Sequence, residues 1–317
     1  MTGMLRHGRY DLVVIGGGIT GLTAAWHAAG RGLSVLVFEG APQFGGQIAT
    51  VARVEGVPPG NAISGPDFSA TLYTAARDAG TRFSPDTVEA IVQDSAGLTV
   101  RYADGFALAR AVLLATGGTA RRLGIAGETA LEGRGVSHCA ACDGPLCRGR
   151  DVMVIGGGDA ALQEALVLAD FANTVTVVVR GQARARRGYL ERAETRPNLR
   201  FMWEWQVAEL CGDNGLETVR LRNANGDETE MACFSIFPKI GADPNSGLAH
   251  GLCSLAPDGS IITNSMFETD LRGLFAAGAV RSGYGGDAVM AASEGASAAS
   301  VIAARLRPTH NRRGEMS

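Results

Sequence analysis

The chain has 317 residues, 46% hydrophobic and 19% charged, with 44 glycines, six cysteines and a formal net charge of -3. That length leaves room for two domains, each able to bury its own core, and the near-balanced charge gives no reason to invoke nucleic acid. No apolar run reaches membrane-spanning length, and Met1 to Arg9 lacks the hydrophobic middle of a signal peptide. A cytoplasmic protein without a membrane partner is therefore expected, in which cysteines are not structural staples.

The first landmark is the apolar run Leu12-Val13-Val14-Ile15, read as a buried parallel strand, which continues through Gly16-Gly17-Gly18-Ile19-Thr20-Gly21 into a helical stretch from Leu22 to Ala29. This is G-x-G-x-x-G in strand-to-helix context. Gly16, Gly18 and Gly21 permit a tight turn and close approach of backbone to a pyrophosphate on the helix N-terminus. Glu39 closes the next strand, Val35 to Phe38. A carboxylate there accepts hydrogen bonds from an adenosine ribose and repels an extra ribose phosphate, so this half suits FAD or NAD. Further on, Ala111 to Ala115 reads as a strand ending in the turn Thr116-Gly117-Gly118.

The dithiol follows in the run His138-Cys139-Ala140-Ala141-Cys142-Asp143-Gly144. Zinc needs a second ligand pair and no second C-x-x-C exists, so no metal is expected and a redox pair is the better reading. His138 next to the pair would favour thiolate if protonated and close, and Cys147 is read as a buried spectator, like Cys211, Cys233 and Cys253.

A second glycine signature comes after strand Val152 to Ile155: Gly156-Gly157-Gly158-Asp159-Ala160-Ala161, leading into a helix from Leu162 to Ala169. The third glycine is replaced by Ala161. The next strand, Val175 to Val179, ends at Arg180 rather than at a carboxylate, with Arg184, Arg186 and Arg187 close behind. Cations there favour a ribose phosphate, hence NADPH, although a solvated helix face would look the same. Phe234 to Ile240 reads as a strand leading to a loop at Gly241 to Asn245, Leu274 to Ala279 as a short strand and turn, and Ala288 to Leu306 as an alanine-rich helix; the residues around Asn311 to Gly314 read as a frayed tail. The last strand and helix most simply complete the first domain. The expected fold is α/β: two Rossmann-like three-layer nucleotide-binding domains, the second inserted in the first, with 1-119 and 246-317 forming an FAD-binding domain and 120-245 an NADPH-binding-like domain carrying the dithiol.

Gly16-x-Gly18-x-x-Gly21, Gly45-Gly46-Gln47, Ala115-Thr116-Gly117, Gly133-Arg134-Gly135-Val136-Ser137 before the dithiol, and Gly156-x-Gly158-x-x-Ala161 occur in the order and spacing of one family. From end to end the chain resembles the low-molecular-weight thioredoxin reductases. The resemblance implies a homodimer in which FAD contacts Gly16, Gly18, Gly21, Glu39, Gly46, Gln47, Thr116, Gly117, Gly278, Asp287 and Ala288, and NADPH contacts Gly156, Gly158, Ala161, Arg180 and Arg184. It implies that Cys142 is the flavin-facing thiol, that Cys139 exchanges with a partner disulfide, and that Asp143 is the acid and base. Asp287 is also read as a helix cap. Two departures stand out. The family's His-Arg-Arg-x-x-x-Arg cluster aligns with Val179-Arg180-Gly181-Gln182-Ala183-Arg184-Ala185, and its Gly-Asp before the C-terminal helix is Gly278-Ala279.

The function expected is an FAD-dependent disulfide oxidoreductase that passes electrons from NADPH to thioredoxin or a similar partner. The alternatives are an oxygen-dependent dithiol oxidase that closes a disulfide in a small metabolite, a ferredoxin- or flavin-reduced enzyme of the same fold, and a non-enzymatic flavin-binding sensor. The complete C-x-x-C with its Asp argues against the last.

Overall fold

The structure is a computed structural model that describes residues 7–56, 63–94 and 97–306; the Asn311 to Gly314 segment lies outside the described residues. The chain divides into two units. Unit 1 contains Met1–Ala49, Arg53–Gly118 and Pro244–Ser317, and unit 2 contains Thr119–Asp243 with Thr50–Ala52. The divisions fall at 118/119 and 243/244.

The first stretch of unit 1 runs β1 (His7–Ile15), α1 (Ile19–Ala29), β2 (Val35–Phe38), α2 (Gly65–Asp78), β3 (Arg82–Ser84), β4 (Val88–Asp94), β5 (Gly97–Tyr102) and β6 (Gly105–Leu114). A two-stranded sheet then joins β7 (Gly118–Ala120) to β15 (Ala242–Pro244), where the chain passes twice between units. Between them, unit 2 runs α3 (Ala140–Asp143), β8 (Asp151–Ile155), α4 (Asp159–Leu168), β9 (Thr174–Val179), α5 (Arg187–Glu194), β10 (Leu199–Trp203), β11 (Trp205–Cys211), β12 (Thr218–Asn223), β13 (Glu228–Ala232) and β14 (Ser235–Pro238). The chain closes unit 1 with β16 (Leu274–Ala276) and α6 (Ala288–Leu306).

Unit 1 is a sheet in the order β3-β2-β1-β6-β5-β4, with β16 also paired to β6. One edge of β6 takes β1 in parallel along its length; the other takes β5 antiparallel over residues 105–109 and β16 in parallel over Val112–Leu114. The central strands are buried on both faces, which is why their sequences are unbroken apolar runs. One face packs Leu12, Val14, Val37, Leu113 and Phe275 against alanines of α1 and α6. The other packs Val13, Ile15, Phe38 and Leu114 beneath the β4–β5 meander. Helices α1 and α6 approach at backbone distance: a Cβ on Gly295 would lie 2.3 Å from the Thr20 carbonyl oxygen. Only glycine allows that contact.

Unit 2 repeats the plan with a four-stranded parallel sheet, β10-β9-β8-β14. Its Val152, Val154, Val175, Val177 and Phe237 face the helices, and Met153, Ile155, Val178 and Ile236 face the antiparallel sheet β11-β12-β13. Both sheets therefore lie between helices on one side and strands on the other, the three-layer arrangement expected. The described residues contain no helix long and apolar enough to cross a membrane.

Candidate active site

In unit 1 the first glycine turn is closed by steric necessity. Gly16 has φ +108, and a Cβ there would lie 2.3 Å from the Ala115 carbonyl oxygen; at Gly21 it would lie 1.9 Å from the Gly16 carbonyl oxygen. Gly18 ends the turn as the N-cap of α1, with no side chain capping it and no acidic residue in the first turn. A Cβ on Gly18 would meet nothing nearer than 4.0 Å. An uncapped helix N-terminus behind open backbone is a donor set that matches a pyrophosphate, and the residues present fit FAD. Glu39 is held beside it, its carboxylate accepting the N–H of Gly17 at 2.7 Å and of Ala41 at 2.9 Å. Gly45 donates its N–H to the Gly17 carbonyl at 2.8 Å, which brings Gly46 and Gln47 to the same turn; the Gln47 amide donates to the Gly118 carbonyl. Thr116 and Gly117 are fixed by Asn245, which donates through its side chain to the Thr116 carbonyl at 3.0 Å and through its N–H to the Gly117 carbonyl at 3.0 Å.

Against the same turn, with a Cβ there 2.3 Å from the Thr20 hydroxyl oxygen, Gly278 (φ +75) donates its N–H at 2.7 Å to the carboxylate of Glu294, a 4%-exposed residue of α6. Arg281 is the ion-pair partner of that carboxylate, and its guanidinium lies 5.3 Å from the Phe267 ring centroid. Asp287 accepts the Met290 N–H at 2.8 Å and so caps the helix that begins at Ala288. The Tyr284 hydroxyl donates to the Asp287 carbonyl at 2.5 Å; burial, then the charges of Asp287 and Glu294, push its pKa far up, so it stays a neutral donor.

In unit 2 Cys139 and Cys142 form a disulfide with their Cα atoms 5.3 Å apart. Cys139 is the N-cap of α3 and is only 9% exposed, whereas Cys142 is exposed. The Cys142 N–H donates to the Cys139 sulfur at 3.1 Å. Asp143 is anchored by the Ser137 hydroxyl, which donates to it at 2.6 Å while accepting the Cys139 N–H at 3.2 Å. The His138 ring turns to Glu132, with Nε2 3.0 Å from the carboxylate. Burial pushes the Cys147 thiol up to about 11 and the Cys233 thiol up to about 12, so both are inert thiols at neutral pH. No group of three or more His, Cys, Asp or Glu side chains placed to hold a metal occurs among the described residues.

The second glycine turn has the same form. Gly156 has φ +136, with a Cβ there 2.2 Å from the Lys239 carbonyl oxygen, and Gly158 caps α4 without side-chain help. Ala161 stands in place of the third glycine and is fully buried. Asp159, in the first turn, would repel a phosphate, but it is paired with Arg186 and also accepts the Arg186 N–H at 2.7 Å. That spends Arg186 locally. Arg180 and Arg184 are exposed at the end of β9, the place where sequence put a ribose-phosphate contact.

Sequence reasoning gave no site role to Ser137, Glu164, Lys239, Asn245, Arg281 or Glu294. Lys239 had a signal that went unread: it is the only lysine in the chain.

With this geometry in view, the comparisons agree. The model of the family "Pyridine nucleotide-disulphide oxidoreductase" matches residues 10–295, and the chain belongs to that family. It is 38% identical over 301 residues to the thioredoxin reductase of Streptomyces coelicolor, covering 91% of each chain. It is 39% identical over 304 residues to that of Mycolicibacterium smegmatis, covering 93% of this chain and 96% of the other. Among solved structures, Lactococcus lactis thioredoxin reductase matches with TM-score 0.89 and 32% identity, over 94% of this chain and all of that one. The T. acidophilum enzyme matches with TM-score 0.89 and 27% identity, over 94% and 98%. The chain is accordingly a flavin-dependent disulfide oxidoreductase with two Rossmann-like nucleotide-binding domains, and the thioredoxin reductases it resembles use FAD and NADPH.

Proposed function

We propose that this enzyme reduces the disulfide of thioredoxin or a similar small protein, with NADPH as electron source, FAD held by unit 1 and Cys139–Cys142 as the exchanging pair. The observation that carries the reading is the Cys139–Cys142 disulfide beside an anchored Asp143, in the unit that bears the second glycine turn. Gly16, Gly18, Gly21, Glu39, Gly46, Gln47, Thr116, Gly117, Gly278, Asp287 and Ala288 would hold FAD. Gly156, Gly158, Ala161, Arg180 and Arg184 would hold NADPH. Bound FAD supplies two-electron carriage between a nicotinamide and a disulfide.

The chain's own residues account for the exchange. Cys139 as thiolate attacks the partner disulfide, forming a Cys139–partner S–S bond and releasing one partner thiolate. Cys142 then attacks the Cys139 sulfur, re-forming Cys139–Cys142 and releasing the second. The partner gains two electrons and two protons, and Asp143 moves a proton at the Cys139 and Cys142 sulfurs. Because Cys139 is 9% exposed in the disulfide form, its role requires that its exposure rise after reduction. The reading includes a cytoplasmic homodimer.

A second reading, an oxygen-using dithiol oxidase, draws on the thin cation set at Arg180 and Arg184 after Arg186 is spent on Asp159. Mixing the flavin-loaded protein with NADPH, NADH or a simple dithiol without oxygen decides between them. Bleaching of the yellow absorbance by NADPH supports the reductase. Bleaching by dithiol alone, with recovery in air, installs the oxidase. Bleaching by reduced ferredoxin or free reduced flavin, but not by NADPH, installs the third alternative.

A further inference from the structure

Of the 29 lysine and arginine side chains all but one are arginine, and that one, Lys239, binds the redox turn. Its ammonium donates to the His138 carbonyl at 2.7 Å and pairs with Glu164 at 3.1 Å. The other Glu164 oxygen accepts the Ala140 N–H at 2.5 Å. One ion pair therefore grips the peptide before Cys139 and the peptide after it. The two side chains are 19% and 13% exposed, so water competes weakly for these bonds. Lys239 follows β14, and Glu164 lies on α4, the helix that the second glycine turn opens. Glu164 thus stands on a helix, and Lys239, the first residue past β14, is tied to the sheet by its N–H, which donates to the Ile155 carbonyl at 2.7 Å.

We propose that Lys239 and Glu164 form a positioning clamp that holds Cys139 in the backbone geometry of the closed disulfide and thereby sets the reduction equilibrium of the Cys139–Cys142 pair. The clamp rests on the reading of that pair as the redox centre. It fixes Cys139 at φ -140 and ψ 99, from which its Cα lies 5.3 Å from that of Cys142, within the span a disulfide requires. Restricting the backbone on both sides of one sulfur raises the effective concentration of one thiol at the other and favours the oxidised form. A lysine suits this task because a compact ammonium can meet a carbonyl and a carboxylate in different directions, where a planar guanidinium presents a fork.

The test is a redox titration of the flavin-loaded protein against mixtures of reduced and oxidised dithiothreitol, with thiols trapped by alkylation and counted by mass. Each reduction breaks the Cys139–Cys142 bond with two electrons and two protons, supplied as dithiothreitol closes to its own disulfide. Lys239→Met and Glu164→Ala should each lower the equilibrium constant for disulfide formation about five- to tenfold, the size of one well-formed hydrogen bond. The double variant should fall short of the product of the two, since they share one interaction. Thermal unfolding of each variant serves as the control. Acetylating the folded wild type gives an independent arm, because Lys239 carries the only side-chain amine; mass spectrometry verifies the site, and the shift should match that of Lys239→Met. Shifts under twofold in the folded variants and in the acetylated protein overturn the clamp. If the wild-type pair is not reversibly reduced at all, the redox-centre reading falls first and the clamp with it.

Discussion

Glu294 offers the sharpest quantitative expectation. Its side chain is 5% exposed and meets three donors: the Gly278 N–H at 2.7 Å, Arg281 Nε at 3.1 Å and Arg281 Nη2. Glu294→Ala removes all three, leaving the Gly278 N–H without its acceptor and Arg281 without its counter-charge. Breaking a buried pair from one side costs roughly 3–5 kcal/mol. Arg281 is 18% exposed and keeps its bond to the Ser282 carbonyl at 2.9 Å, which places the cost near the lower bound, about 3 kcal/mol. At roughly 2–4 °C per kcal/mol for units of this size, the thermal midpoint should fall by about 6–12 °C. Circular dichroism melts give that shift, and hydrogen exchange at the Gly278 amide should accelerate locally beyond it. Because the unpaired Arg281 charge is then gone, Arg281→Met with Glu294→Leu should recover part of the loss, the Gly278 N–H still lacking its acceptor. A shift under about 3 °C for Glu294→Ala, or a double variant no better than the single one, would refute the reasoning.

Gly21→Ala forces a Cβ to 1.9 Å from the Gly16 carbonyl oxygen, so the variant should purify without flavin colour; a yellow protein would contradict the steric account. Cys147 and Cys233, pushed up to about 11 and about 12, carry only about one thiolate in a thousand and one in ten thousand at pH 8. Mass spectrometry after iodoacetamide treatment of the reduced native protein should therefore find the label on Cys142 and not on those two. Arg184→Ala should raise KM for NADPH about tenfold while leaving that for NADH unchanged, as loss of one charge-assisted phosphate contact predicts. Equal effects on both nucleotides would remove Arg184 from the ribose-phosphate site.

The parallel strands were legible because burial on both faces writes itself as an unbroken apolar run. Leu12 to Ile15, Val152 to Ile155 and Val175 to Val179 all lie within β1, β8 and β9, and the last helix occupies Ala288–Leu306 as expected. The helix read from Leu22 starts earlier, at Ile19, because Gly18 is the N-cap and the glycine-rich turn supplies the first helical residues. The antiparallel parts were not read. Strand β13 alternates exposed with half-buried residues and contributes little apolar signal, and the β4–β5 meander has one ragged face. Helix α2 carried its marks, a Ser64 cap accepting the Asp67 N–H and a proline in the first turn, without an apolar run to draw notice. In the site, the glycine turns and the dithiol were visible because their spacing is local. The residues that position them, Glu164, Lys239 and Glu294, lie far away in sequence and act through backbone groups, which leave no pattern in the sequence.

The place of β16 in its sheet has a consequence for how the chain is made. Its partners, Val112–Leu114 of β6, are synthesised before Thr119–Asp243 of unit 2, and the strand itself after it. During translation unit 2 can close its core while unit 1 still lacks a strand and its longest helix. Over that interval β6 presents a bare edge at residues 112–114, and the alanine face of α1 waits for α6. Open edges and uncovered apolar faces are where nascent chains associate wrongly. The last quarter of the sequence therefore governs whether the N-terminal part of unit 1 survives its own synthesis, and C-terminal truncations should cost soluble yield before they cost any chemistry.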